Sequence, residues 1–460
     1  MMSSHVDGHF THDKIVYTAS GGRLYVSRGY RIEAPDLENG EITGLNILED
    51  EIRVILRNLQ PNARYQIRWD SDSDYREPLL DFQGITESGK SSEWSRTARN
   101  ERFVRYFKRM EDGGLRRERL HLFVTMPLPG NHKAGISRRK FYEGLLNSSE
   151  TGFRPYRQLL DQVFGRLGGR VMPLDDLAHF EECLRFFNPC AANQVESDSR
   201  FDPLQSIRQQ CLGGDARFLE KPEAGFYLDG LHHGMLVLKD LPQATYSGMI
   251  QHLTGLPMLG YSITVNVQGL DVAKEIEREE SKLAKLQNAI AHSNRQRMRA
   301  AIEKKAKKIQ RLMQMIIRAW DQTAEELQAK LASLKSAIIK MQGAGYYEPA
   351  FPATFRNYLF ASLPGWSWDR YQDHTLYVED HNLANLLPIS GTPTGKLTGA
   401  EALYDGSNGN LIGIKTFDGN LKAGRHHHLQ LSGYEWPAPV GHSSRRCLRS
   451  GLVDGWGEPG

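Results

Sequence analysis

Basic residues crowd one stretch of the chain. Arg295, Arg297, Arg299, Lys304, Lys305, Lys307, Lys308 and Arg311 are set against a single acid, Glu303. Such a cluster can make an anion contact with an acidic partner, lipid headgroups or DNA. The preceding stretch begins acidic, with Glu275, Glu277, Glu279 and Glu280, so two helices of complementary charge account for the same residues. No aromatic side chains interleave the cations, which removes the stacking platform that single-stranded nucleic acid uses.

Other patterns resemble sites and fall short of them. Gly391-Thr-Pro-Thr-Gly395-Lys396-Leu397 has the look of a phosphate loop. It is one residue short between its glycines, Leu397 stands where the Mg²⁺-binding Ser or Thr belongs, and Pro393 removes an amide donor. A surface turn before a helix starting near Thr398 is the expected structure. Asp70, Asp72 and Asp74 alternate like the start of a calcium loop, but Tyr75 replaces the required glycine and Asp81 the bidentate Glu. His426, His427 and His428 point to alternate faces if they lie in a strand, so they cannot form a three-ligand site there. His232-His233 has no further ligands nearby in sequence. The four cysteines, Cys183, Cys190, Cys211 and Cys447, form no CxxC pair and read as reduced intracellular thiols. No metal and no cofactor are expected for this chain.

These residues sit in a chain of 460 with a formal net charge of +3, 40% hydrophobic and 25% charged residues. At roughly 100–200 residues per domain this suggests two to four domains. A net charge so small confines any affinity for nucleic acid or acidic membranes to a local patch. Met1 to Lys14 has no apolar signal-peptide segment. No apolar run approaches the ~18 residues of a spanning helix, so any work at a membrane is expected of a peripheral protein.

The elements that must position the candidates read as follows. Ile15 to Ile32 predicts a hairpin around Gly21-Gly22. Leu45, Leu48, Ile52, Ile55, Leu56 and Leu59 predict a helix with one buried face, and Tyr65 to Trp69 a strand. Ser71 to Asn100 reads as a polar surface excursion. A strand is expected over Leu120–Met126 and helices over Phe153–Leu167 and Leu174–Phe187, the second opened by Asp175-Asp176. Tyr227, Met235–Leu238 and Tyr261–Val267 complete an α+β domain over residues 1–268. Asp271 to Met341 contains no Gly or Pro, with Ile276, Leu283 and Ile290 seven apart and a second register through Ile302, Ile309 and Ile316. That predicts two or three antiparallel helices, a hairpin or bundle over residues 269–345. Thr323 and Glu326 form a capping box for the last of them. Short strands and turns follow over 346–433, and 434–460 is an aperiodic tail dense in Gly, Pro, Trp and Arg.

Four ordered stretches carry a family resemblance. Phe360-Ala-Ser-Leu-Pro-Gly365 resembles the F-x-S-L-P-G turn of the conjugative transfer ATPases of type IV secretion systems (TraC/VirB-type pilus-assembly ATPases). Asn382-Leu-Ala-Asn-Leu-Leu-Pro388 is similar to that family's segment before the motor. Leu411 to Asp418 looks like the strand pair that opens the RecA-like motor, and His426 to Gly433 like the strand entering its phosphate loop. The resemblance covers roughly residues 15–433. It implies the opening strands of an incomplete RecA-like α/β domain over 346–433.

The chain then departs from the family. Gly433, which matches the first glycine of the Walker A loop, is followed by Tyr434-Glu-Trp-Pro-Ala-Pro439. Neither a Trp nor prolines without N–H groups can wrap a phosphate. Gly433 is therefore a residual cofactor-binding position only, and a truncated or frameshifted gene is the expected origin of the tail. The resemblance implies ATP and Mg²⁺ as the family's cofactors, lost here. It implies type IV secretion inner-membrane components and intact ATPase subunits as partners, and a cytoplasmic location, peripheral at the inner membrane. The expected function is the partner-binding portion of such an ATPase, inactive alone. A nucleic-acid-binding protein using the basic helix 295–311 is the alternative.

Overall fold

The computed structural model describes residues 9–20, 23–33, 42–61, 63–88, 92–128, 138–189, 201–211, 216–218, 226–228, 230–270, 277, 311–366, 374–389, 391–392 and 394–415. All of them belong to one compact unit, Met1–Lys415. The fold is mixed α and β, built on an antiparallel sheet.

That sheet explains itself from its central strands. β4 (Arg64–Asp72) turns Tyr65, Ile67 and Trp69 to one face and Gln66, Arg68 and Asp70 to the other. Its neighbours do the same. β5 (Arg117–Pro127) and β10 (Tyr261–Gly269) flank β4, and β11 (Arg311–Asp321) lies beyond β10. β1 (His9–His12), β2 (Ile15–Ser20) and β3 (Arg23–Glu33) extend one side as antiparallel hairpins. On the other side come β9 (Leu231–Asp240), β8 (Phe226–Leu228) and β7 (Ala216–Phe218). Three short strands attach to this path: β6 (Arg170–Pro173) on β3, β12 (Gly345–Tyr347) on β9 and β13 (Leu376–Val378) on β11. β14 (Ala402–Asp405) and β15 (Leu411–Ile414) form a separate antiparallel ribbon.

The apolar face carries the main core. Helix α1 (Ile42–Arg57) buries Leu48, Ile52, Ile55 and Leu56, as its spacing predicts. Phe153, Tyr156, Leu160, Val163 and Phe164 from α4 (Arg138–Arg166) join it, with Leu327, Leu331, Leu334 and Ile338 from α8 (Ala324–Lys340). Thr323 caps α8 as expected: its hydroxyl accepts from Glu326 N at 3.2 Å and donates to the Glu326 carboxylate at 2.8 Å. The short helix α7 (Gln251–Thr254) adds Leu253. The opposite face is covered by α5 (Asp176–Phe187), α6 (Ile207–Cys211) and α9 (Pro352–Ala361). A third cluster gathers α2 (Arg76–Ser88), α3 (Glu93–Glu111) and the ribbon around Tyr75, Leu79, Phe82, Tyr106 and Leu411.

Three sequence expectations are corrected here. Residues 311–321 form a strand, so the helical reading of 269–345 fails over that part, while its last helix stands as α8. Met313 to Trp320 is buried along its whole length, Gln314 and Arg318 included, and that burial overrides the seven-residue spacing that ends on Ile316. The sheet also runs across the boundaries expected at 268 and 345, because β11 joins β10 and β13 joins β11. Ser71 to Asn100 is no surface excursion. Tyr75, Leu79 and Phe82 are buried, and α2 and α3 pack against each other. Residues 278–310 lie outside the described residues, as does the whole tail 434–460.

Candidate functional site

The sheet face under α5 and α9 is lined with polar side chains, unusually for a buried surface. Gln66, Asn266 and Gln314 stand side by side on β4, β10 and β11. Gln66 Nε2 donates to Asn266 Oδ1 at 3.2 Å, and Asn266 Nδ2 to Gln314 Oε1 at 3.3 Å. This row holds the turn after α9. Gln66 Nε2 and Asn266 Nδ2 donate to the Ala361 carbonyl at 3.2 and 2.9 Å, and Gly365 N donates to Gln66 Oε1 at 3.0 Å. Ser27 Oγ donates to the Gly365 carbonyl at 2.9 Å. Phe360 to Gly365 is therefore fixed to the middle of the sheet through backbone groups that would otherwise be buried and unpaired. Gly365 has φ +73°, and a Cβ there would sit 3.2 Å from His179 Cε1 and 3.4 Å from Val16. The turn needs glycine for both reasons.

One step along the strands the polar face becomes ionic. Arg68 and Asp70 pair through bonds at 2.8 and 2.6 Å, both buried. Arg119 pairs with Asp72 and Asp74, and Arg185 with Glu182 at 2.6 Å and Asp74 at 3.4 Å. The alternating Asp70, Asp72 and Asp74 are thus committed to arginines. The Arg68 and Arg318 guanidinium carbons flank the Phe186 ring at 4.8 and 4.4 Å. Burial, with Arg68 nearby, lowers the Arg318 pKa to about 9. His121 is lowered to about 4 by burial, against the pull of Glu182.

A third group lies where α5 meets β1. Asp175 caps α5, its carboxylate accepting from Ala178 N at 2.8 Å, and Asp176 accepts from Thr11 Oγ1, Asp13 N and Lys14 N at 2.7–2.9 Å. One and two turns on, His179 and Cys183 face the same strand. His179 Nε2 is 3.2 Å from His9 Nε2 and 3.5 Å from Cys183 Sγ. All three side chains are buried, and their ligand atoms lie within 4.8 Å of one another. Sequence reading passed over this trio. The i,i+4 His–Cys pair was its visible signal, while His9, 170 positions away, is supplied by the fold alone.

The expected anion contact is only partly visible. Arg295, Arg297, Arg299, Lys304, Lys305, Lys307 and Lys308 lie outside the described residues, as do Gly433 and His426–His428. Arg311 does not serve as an exposed contact. It begins β11, is buried, donates to the Leu56 carbonyl and pairs with Asp380 at 3.3 Å. The phosphate-loop look-alike is occupied by its own backbone. Thr392 N donates to Glu118 at 3.0 Å, Lys396 N to the Gly413 carbonyl at 2.9 Å, and no helix starts at Thr398. Gly391 and Thr392 line an open cleft of about 830 Å³ with Arg116, Glu118 and Gln251. Arg116 is held there by Glu118 at 2.7 Å and by the Leu256 carbonyl at 3.0 Å. Among the described residues no helix is long and apolar enough to cross a membrane.

Neutral buried histidines give the fold a pH dependence. His233 is fully buried, and desolvation followed by Arg318 lowers its pKa well below the ordinary value. An unfolded histidine titrates near 6.5, so below that pH the unfolded chain binds a proton that the folded chain refuses. Stability should be full above about pH 6.5 and fall below it, by about 1.4 kcal/mol per pH unit for each such histidine. Urea midpoints measured from pH 7 to 5 should drop, and His233→Gln should flatten the slope by about one proton's share. An unchanged slope in the variant assigns the acid sensitivity elsewhere.

Compared with known proteins, the chain matches no family model and no curated relative.

Proposed function

We propose that this chain is the N-terminal, partner-binding portion of a conjugative transfer ATPase that energises DNA and protein transfer and pilus assembly in type IV secretion, with no ATPase activity of its own. The observation that carries the reading is the setting of Phe360–Gly365. The first of the ordered stretches that carry the resemblance is gripped by Ser27, Gln66 and Asn266 from three strands. A motif whose backbone is bonded that way has a structural reason for its Ser-Leu-Pro-Gly pattern. The second stretch is also integrated. Leu383, Ala384, Leu386 and Leu387 are buried around α10 (Asp380–Ala384), and Asn382 accepts from Thr245 Oγ1 at 2.8 Å. On this reading β15 begins the stretch Leu411–Asp418 that opens the RecA-like motor. The partners are intact ATPase subunits and inner-membrane components of the secretion channel, met peripherally from the cytoplasm.

Two measurements test it. Calorimetry should detect no Mg²⁺-dependent ATP binding, because the one G-x-x-x-x-G-K-[ST] match in the sequence, Gly84 to Ser91, has Gly84–Ser88 inside helix α2 instead of in a loop that follows a strand, and the Gly391–Leu397 stretch has its Thr392 and Lys396 amides engaged. Micromolar binding would overturn that part. Co-expressed with an intact ATPase of this family, the chain should co-purify with it and lower conjugation frequency as its dose rises. Undiminished transfer at high levels of folded chain, without co-purification, would remove the proposed function.

A further inference from the structure

We propose that His9, His179 and Cys183 bind one Zn²⁺ ion that ties the N-terminal strand to helix α5. The geometry leads the argument. Zinc bonds of about 2.0–2.1 Å to imidazole and about 2.3 Å to thiolate, set tetrahedrally, place two nitrogens about 3.3 Å apart and nitrogen and sulfur about 3.6 Å apart. The two histidine nitrogens are 3.2 Å apart, and His179 Nε2 is 3.5 Å from the sulfur. The third separation is within 4.8 Å.

Chemistry points the same way. The ring nitrogens that converge are Nε2 on both histidines, and only one of the two can carry the proton of a direct bond between them. A metal uses both lone pairs and the sulfur together. Two imidazoles with one thiolate suit a borderline-soft divalent ion such as zinc, and refuse calcium or magnesium, which take oxygen ligands. The three protein ligands leave the fourth position to water or a small ligand. On binding, the Cys183 thiol loses its proton to solvent, so the net charge brought into the site is +1. Walls of Gly365, Trp366 and Phe123 exclude bulk water: Gly365 packs on His179, Trp366 lies 5.7 Å from His9 and Phe123 5.8 Å from His179. A metal here would close the loop between β1 and α5, just beside the turn that carries the proposed function, yet it does not depend on that reading.

The test uses the full chain. Elemental analysis after purification should find about one zinc per chain, and Co²⁺ loaded into chelator-treated protein should show the thiolate-to-cobalt charge-transfer band with the strong visible bands of a four-coordinate ion. Cys211→Ser should leave the charge-transfer band in place, since that buried thiol lies outside the trio. Cys183→Ser should abolish it. Co²⁺ held by the His426–His428 tract gives no thiolate band and survives Cys183→Ser, so the two sites are told apart. Absence of the band in the loaded wild-type chain overturns the proposal even if Cys183→Ser fails to fold. So does a band that persists in folded Cys183→Ser.

Discussion

Asp70→Ala should destabilise the fold by about 3–5 kcal/mol, the range for removing one partner of a buried ion pair. Asp70 is the carboxylate that both Arg68 and Arg318 face. Its two oxygens take bonds from Arg68, and its charge supports the neighbouring Arg318, whose Nε and Nη1 have no partner among the described residues. With the acid gone, two buried guanidiniums remain against the Phe186 ring. Stabilities of folded domains run to about 5–15 kcal/mol, so the loss is a large share of the total and should appear as a much lower urea midpoint and a low soluble yield. Arg68→Leu combined with Asp70→Leu should recover much of the loss, because the pair's attraction roughly offsets what it cost to desolvate both ions. Asp50→Ala is the surface control. Its carboxylate bonds Arg53 at 3.0 Å while 76% exposed, and its removal should change stability by less than about 1 kcal/mol. If Asp70→Ala shifts stability no more than that control does, the ionic part of this face is not holding the sheet together.

Much of this face was hidden from sequence, and the reason is specific. Strands such as Arg64–Asp72 alternate in the usual way, and alternation predicts one buried and one wet face. Here the polar side is enclosed as well, because α5 and α9 come back over it from more than a hundred residues away. The hairpin at Gly21-Gly22, α1, the Asp175 and Thr323 caps and the strand around Tyr261–Val267 were all legible, since each depends on nearby residues. β11 was not. Its apolar residues, broken by Gln314 and Arg318, fit a buried strand as well as a helix, and its partners Tyr261–Gly269 and Leu231–Asp240 lie far upstream. Asp70, Asp72 and Asp74 show the same limit from the other side. Tyr75 and Asp81 already exclude the calcium loop that this Asp spacing resembles, and only the fold reveals the arginines opposite the three carboxylates. His179 and Cys183, one turn apart on α5, went unread as a pair, because the third member, His9, comes only with the placement of β1.

The Phe360–Gly365 turn gives the second large effect, and it joins stability to the proposed function. Gln66→Leu keeps the side chain's approximate volume and removes its amide. Gly365 N then loses the acceptor it uses at 3.0 Å, deep in the protein, while the Ala361 carbonyl keeps Asn266 at 2.9 Å. Orphaning a buried donor costs about 1–3 kcal/mol, and Asn266 Oδ1 loses a donor as well, so a total of about 2–4 kcal/mol is expected. The loss should be local as well as global. Amide exchange over 361–366 should accelerate more than exchange in α8, which packs on the opposite face. Gln66→Glu separates shape from charge: it keeps an acceptor for Gly365 N but offers the Ala361 carbonyl an anion in place of a donor, and it should destabilise at least as much. If the turn is part of what intact ATPase subunits recognise, Gln66→Leu should weaken co-purification beyond what Asp50→Ala does, at a temperature where both variants are folded. Equal exchange rates in the turn and in α8 would mean that the amide row does not hold the motif, and the resemblance would then lack its structural reason.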